Sequence, residues 1–125
     1  MSFVLKQSDT YSWDVTLVLP AATGGKKEKS TFQAEFKRLP QSRINEIVRL
    51  AKRIEVGIAD DDEFLEDQNA AREILCGWSG VVDDDNKEIK FNKTTLNQLL
   101  ELPTVASQIV RVWFSSLDTA KRKNS

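Results

Sequence analysis

The chain has no histidine and a single cysteine among its 125 residues. Without histidine, the sequence lacks the Ser-His-Asp and Cys-His nucleophilic arrangements and the commonest general base and metal ligand. One cysteine can form neither an internal disulfide nor, in the absence of histidine, a structural zinc site. The lone thiol, Cys76, follows apolar Ile74 and Leu75, so we expect a small buried hydrophobe in a reducing compartment. The sequence therefore predicts a protein that is not an enzyme.

The chain also lacks a long apolar run and a strong net charge. No segment approaches the roughly 20 apolar residues that span a bilayer, and the first residues lack the basic start and apolar stretch of a signal peptide. The net charge is −1, from 18 basic and 19 acidic side chains, so no overall field selects nucleic acid or a membrane surface. We therefore expect a cytosolic protein that binds neither.

Charge is nevertheless distributed unevenly along the sequence. Residues 26–53 are mainly basic, and residues 60–73 are mainly acidic. Two such segments can be independently solvated faces, or they can pair within one molecule or between copies packed head to tail. The sequence leaves these alternatives open.

No segment of the sequence matches the spacing of the EF-hand metal-binding motif or of the phosphate-loop motif. In the acidic run that begins at Asp83, an EF-hand loop would place Lys87 at a ligand position and Glu88 where glycine is required. The Gly24-Gly25-Lys26 segment lacks the spacing of a phosphate loop, and the basic clusters are not interleaved with aromatic residues that could stack on bases. We therefore predict no metal, no cofactor and no nucleic-acid partner.

Two segments near the beginning of the chain alternate apolar and polar residues, which predicts half-buried strands. The first covers residues 13–19 and the second covers residues 32–37, and the glycines between them favour a turn. These strands are expected to form an antiparallel β-hairpin, with Phe3-Val4-Leu5 as a candidate third strand that would make a three-strand meander. We expect four aromatic side chains of the chain to lie in the core: Trp13, Phe32, Phe36 and Trp78.

Beyond residue 40 the apolar spacing changes to three and four, which predicts about four α-helices. The first is expected to end near Gly57, and Asp60 with Glu63 has capping-box spacing at the start of a second helix whose apolar positions extend to Trp78. A small second hairpin around residues 83–86 follows, then a short helix capped by Asn92 and a last helix that begins at Pro103. The predicted fold is α+β, with a single domain over residues 1–120 and a loose basic tail over residues 121–125.

The last helix carries more apolar surface than one contact face needs. Its apolar residues cover an arc of roughly 200°, whereas a surface helix needs a stripe somewhat wider than 100°. The surplus face, at Val110, Phe114 and Leu117, must meet either more of its own domain or a partner, and both alternatives stay open. We take this face as the candidate partner-binding site, with Arg49 and Arg53 as its charged rim.

Several sequence landmarks occur in a recognisable order over residues 10–120. Together they resemble the tail assembly chaperones of long, non-contractile-tailed bacteriophages. Cys76 stands where such proteins are expected to have Val or Leu. The landmarks are Tyr11-x-Trp13, Phe36-Lys37-Arg38-Leu39, Gly77-Trp78-x-Gly80-Val81-Val82-Asp83, Phe91 and the closing aromatic helix.

This resemblance implies a specific function. Such chaperones bind the long, helical, aggregation-prone tape-measure protein, keep it soluble, and promote assembly of the tail-tube protein around it. They act in the host bacterial cytoplasm and are absent from the mature virion, and a longer product often arises by ribosomal frameshifting. A homo-oligomer is left open, as are two other functions: a structural head–tail or tail-tube component, and a small regulator that contacts nucleic acid.

Overall fold

A computed structural model of the chain describes residues 3–21, 24–55 and 63–117, without the side chains of residues 50–55 and 63–66. The described residues form a three-stranded antiparallel sheet and four helices, which confirms the predicted α+β fold. In chain order the elements are β1 (Thr10–Pro20), β2 (Lys27–Lys37), α1 (Gln41–Glu55), α2 (Glu63–Ile74), β3 (Leu75–Ser79), α3 (Lys93–Glu101) and α4 (Val105–Leu117).

The hairpin of β1 and β2 follows the period-two pattern of the sequence. The two strands pair antiparallel from Thr10 opposite Lys37 to Pro20 opposite Lys27. Gly24 and Gly25 in the connection have positive φ angles of 78° and 65°, a conformation that glycine adopts without steric cost. Alternate side chains of the two strands are buried, so the helices cover one face of the sheet and leave the other to solvent.

The third strand of the sheet is β3, and the expectation of a strand at Phe3–Leu5 is wrong. The sheet order is β1-β2-β3, and β3 pairs with β2 through contacts such as Ala34 opposite Trp78. The Phe3–Leu5 segment forms no strand, and its three side chains are 81%, 67% and 89% exposed. The prediction failed because strand-forming composition does not supply the neighbour with which a strand must pair.

The second helix is also shorter than its apolar spacing predicted. It ends at Ile74, and β3 begins at the next residue, so Leu75 and Trp78 belong to a strand. Gly77 lies so close to β2 that a Cβ atom there would stand 2.9 Å from Oε2 of Glu35. A larger residue at this position would require the Glu35 side chain to shift, since the added Cβ atom would also stand 3.3 Å from the Glu35 Cβ.

Cys76 is exposed, which corrects the expectation that it is buried. The pairing of β2 with β3 shifts register here: Glu35 lies opposite Gly77, and Phe36 lies opposite Leu75. Cys76 is therefore the extra residue of a β-bulge, and its Sγ lies 3.3 Å from the Glu35 carbonyl oxygen.

The core lies between the covered face of the sheet and the helices. Its largest fully buried side chains include Trp113 and Phe36, and Phe32 is also buried, as predicted. Trp13 and Trp78 are only partly buried and pack against the outside of this core. The indole of Trp78 donates a hydrogen bond to the carbonyl of Ile89 at 2.8 Å, which ties β3 to the segment that follows it.

The ends of the later helices depend on local side chains. As predicted, Asn92 caps α3, and its side-chain oxygen accepts a hydrogen bond from the Thr95 amide while the Thr95 hydroxyl accepts one from the Asn92 amide. The last helix begins at Val105 rather than at Pro103, because Thr104 takes a positive φ of 68° that interrupts helical geometry.

The remaining local predictions have mixed outcomes. The predicted second hairpin reduces to one isolated bridge between Val82 and Glu88. The predicted helix end at Gly57, the cap at Asp60 and the basic tail lie outside the described residues. Among the described helices, none combines the length and the apolar character needed to cross a membrane.

Candidate functional site

One face of α4 is fixed against β1 by side-chain hydrogen bonds at two positions. The Gln108 amide accepts a hydrogen bond from the Val18 N–H at 2.8 Å and donates one to the Val18 carbonyl at 2.9 Å. Two turns later, Ser116 Oγ lies 2.7 Å from the hydroxyl oxygen of Tyr11. Because the Ser116 hydroxyl donates to the Trp113 carbonyl at 2.6 Å, the Tyr11 hydroxyl is the donor in this pair.

The candidate face of α4 is turned away from this contact with β1. At about 100° per residue, Val110, Phe114 and Leu117 lie between 120° and 180° around the helix from Gln108. Val110 is only 5% exposed and belongs to the core, so at this residue the face meets its own domain, and the choice of Val110 as a partner-binding residue is corrected. The helical wheel could not show this, because the covering side chains come from other elements of the fold. Phe114 is half-buried and Leu117 is 40% exposed, so these two residues remain as the candidate surface.

The two arginines of the predicted rim lie on another helix. Arg49 is on α1 and is exposed, and the side chain of Arg53 lies outside the described side chains. The first helix packs against α2, which in turn packs against α4. Arg49 therefore lies on a different helix from Phe114, and the partner-binding role of these two arginines stays a prediction.

The basic and acidic segments of the sequence meet within one molecule at α1 and α2. Arg43 donates two parallel hydrogen bonds to Glu73, at 2.7 Å from Nε and 2.6 Å from Nη2, and a third at 2.8 Å to Glu46. Hydrogen bonding from Arg43 lowers the pKa of the Glu73 carboxyl, and the same bond raises the pKa of the Arg43 guanidinium. For this pair, the intramolecular alternative is the one observed.

The acidic turn between β3 and α3 brings three carboxylates close together. Asp83, Asp84 and Asp85 are all exposed, and one carboxylate oxygen of each lies within 4.8 Å of the others. Asp83 Oδ1 accepts hydrogen bonds from the amides of Asp85 and Lys87 at 2.9 and 3.0 Å. This arrangement is a side-chain-stabilised turn, at the position where the sequence predicted the turn of a small hairpin.

Sequence reasoning missed the two features that leave β1 open to a partner. β1 is an edge strand of the sheet, and the apolar segment that precedes it packs on no strand. The apolar segment did have a sequence signal, since Phe3-Val4-Leu5 is apolar and begins with two strand-forming residues. No sequence signal indicated that β1 is an edge strand, because the order of strands depends on the distant segment at Leu75–Ser79.

Comparison with known proteins gives one family. A family model described as YdaY prophage protein matches residues 28–124, which is well over half of the chain and includes β2 from its second residue, β3 and the four described helices. The match indicates a phage-derived protein. No curated protein and no solved structure matches the chain.

Proposed function

The chain belongs to the YdaY prophage protein family, and from that premise we propose that it is a phage tail assembly chaperone. In this role it binds the tape-measure protein in the host bacterial cytoplasm and keeps it soluble while tail-tube subunits assemble around it. The chain acts by binding alone, with no catalytic step, metal or cofactor, and it leaves before the virion is complete. The order of sequence landmarks over residues 10–120 supports this specific role within the phage-derived class.

The structural observation that carries the proposal is the incompletely covered face of α4. Leu117 is 40% exposed and Phe114 is half-buried, three residues apart on a helix whose opposite side is fixed to β1. Residues three apart on a helix are neighbours on its surface. A long helical client presents apolar stripes of the same spacing, so the two surfaces can bury each other without any change in the core.

Co-expression with the tape-measure protein of the same phage tests the proposal. The wild-type chain should increase the soluble fraction of the client, and L117D should lose most of that effect because a carboxylate replaces an apolar contact. S115D is the matched control, since Ser115 is exposed on the other side of α4 and receives the same charge. It should behave like the wild type.

Two results would contradict the proposal. One is a tape-measure protein that is equally insoluble with and without this chain. The other is a stoichiometric amount of the chain in purified mature virions, which would identify a structural component of the particle.

A further inference from the structure

The free edge of β1 has an open window of unpaired main-chain groups. The main-chain bonds Arg38 N to Asp9 O and Ala21 N to Lys26 O flank the β1–β2 ladder, so the odd-numbered residues of β1 are those bonded to β2. The N–H and C=O groups of the even-numbered residues point to the opposite side. Within the described part of the chain, those of Ser12, Asp14 and Thr16 have no hydrogen-bond partner.

Both ends of this window are closed by side chains. At one end, the Ser8 hydroxyl donates a 2.7 Å hydrogen bond to the Thr10 carbonyl. At the other end, the Gln108 amide pairs with both main-chain groups of Val18. The unpaired length therefore corresponds to a short strand of about five residues, since an antiparallel neighbour bonds only every second residue.

The same chain carries an apolar segment that pairs with no strand, of the kind that such an edge accepts. Phe3, Val4 and Leu5, here called the apolar arm, are three consecutive apolar residues with exposures of 81%, 67% and 89%, and the first two have strand-forming side chains. Three adjacent exposed side chains of this type are unfavourable in water. An unpaired strand edge is likewise a site at which another segment adds.

The apolar arm does not reach the edge of its own β1. The chain between them is fixed by side-chain hydrogen bonds: the Gln7 amide donates one to the Val4 carbonyl at 2.6 Å, and Ser8 Oγ accepts one from Arg38 Nε at 3.3 Å and donates one to the Thr10 carbonyl at 2.7 Å. Pairing in the same copy would require the chain to reverse direction within residues 6–9 and release these bonds. A second copy faces no such constraint.

We propose that the apolar arm of a second copy adds as a strand to the open edge of β1 at Ser12, Asp14 and Thr16. The exchange is reciprocal, so each copy donates one arm and accepts one, and the closed assembly is a two-fold dimer. This inference is independent of tape-measure binding, because it uses the edge of the sheet and not the Leu117 face of α4.

The side chains beside the edge fit the alternation of the arm. In an added strand, Phe3 and Leu5 lie on one face of the sheet and Val4 lies on the other. On the helix-covered face, Trp13 of β1 is only partly buried. Val112, which lies on α4 one turn from both Gln108 and Ser116, is also only partly buried. Phe3 and Leu5 are therefore expected to contact this apolar margin.

Two variants remove the two halves of the contact without touching the core. F3D/L5D places charges on the arm, and T16P removes an edge N–H that bonds nothing in the described part of the monomer. T16A is the matched control, since it loses the hydroxyl that bonds Thr31 but keeps the N–H. Sedimentation equilibrium over a range of concentrations should show a wild-type and T16A dimer, and a dissociation constant raised about tenfold or more in F3D/L5D and T16P.

A mixing experiment distinguishes exchange from general destabilisation. F3D/L5D keeps an intact edge and T16P keeps an intact arm, so an equimolar mixture should form a heterodimer with one arm–edge contact at a concentration where each variant alone is monomeric. Circular dichroism should show the same folded spectrum for all four chains. A wild type that stays monomeric at every concentration overturns the proposal, as does a T16P chain that dimerises like T16A or a mixture that forms no heterodimer.

Discussion

The side chain of Gln108 hydrogen-bonds both main-chain groups of Val18, at 2.8 and 2.9 Å, as a neighbouring strand would. This single amide fastens α4 to the sheet and closes one end of the β1 edge. It also orients α4, because the helix can rotate little once Gln108 and Ser116 are both engaged with β1. The exposure of Leu117 is thus a consequence of contacts on the other side of the helix.

Replacing Gln108 should destabilise the fold. Q108A removes two partly buried hydrogen bonds to Val18 and an exposed one to Thr104, and at about 0.5–1.5 kcal/mol for each partly buried bond the expected loss in the free energy of unfolding is about 1–3 kcal/mol. Q108E keeps the shape but sets a carboxylate oxygen against the Val18 carbonyl, so its loss should be at least as large at neutral pH. Urea denaturation measures both, and wild-type stability in Q108E would contradict the role of the amide as a paired donor and acceptor.

Tyr11 gives a titration signal of its own, because it is the one tyrosine in the chain. Burial raises the pKa of its hydroxyl above the ordinary 10.0, against the opposing effects of Ser116 and Arg38. Ultraviolet absorbance titration of the folded protein should give a midpoint above that value.

The raised pKa of Tyr11 also determines how its contribution to stability depends on pH. Because the folded-state pKa is the higher one, the contribution of Tyr11 is complete below about pH 10 and is lost as pH rises from there through the folded-state pKa. Y11F should remove this alkaline dependence and cost about 1 kcal/mol at neutral pH. A midpoint at or below 10.0 in the folded protein would show that the hydroxyl is not buried as described.

The Arg43–Glu73 pair should stabilise the packing of α1 on α2 modestly. Its side chains are 37% and 28% exposed, so E73Q is expected to cost about 1 kcal/mol or less at neutral pH. The folded-state pKa of Glu73 is depressed, so the contribution is present above the ordinary carboxyl pKa of 4.5 and is lost as pH falls through the folded-state value.

E46Q is the control for this pair, because Glu46 makes one bond to Arg43 and is 56% exposed. Its effect should be the smaller of the two. Denaturation of both variants at neutral and acidic pH makes the comparison, and equal effects of E73Q and E46Q would contradict the importance of the two-bond geometry.

The fold could be predicted from the sequence where local pattern and tertiary contact agree. The hairpin of residues 10–37 and the helices around Ile47, Leu96 and Ile109 have clear periods, and each buries the face that its period indicates. β3 escaped prediction because Ile74, Leu75 and Trp78 have helical spacing, and only pairing with Ala34 in the distant β2 makes the segment a strand.

The candidate site was also predictable only where local pattern decides the outcome. Spacing alone identified an apolar arc on α4, but which part of it is covered depends on neighbouring elements, and so Val110 proved to be core whereas Leu117 is exposed. The exposure of Cys76 depends on a bulge, and a register shift between two strands has no signature in local composition.

Cys76 should therefore be chemically accessible in the folded protein. Ellman's reagent should modify one thiol without denaturant, although slowly at neutral pH, because partial desolvation beside β2 and then the Glu35 carboxylate raise the pKa of the exposed thiol above the ordinary 9.0. The rate should increase as pH approaches and passes that value. A thiol that reacts only after denaturation would contradict the exposed bulge.

Calorimetric titration of the purified chain with a soluble helical fragment of the tape-measure protein tests the central claim most directly. Binding should occur with a negative heat-capacity change, since apolar surface is buried. L117D should weaken it about tenfold or more, and S115D should leave it unchanged. No binding by the wild type, or equal affinities for the wild type and L117D, would contradict the assignment of α4 as the client-binding helix.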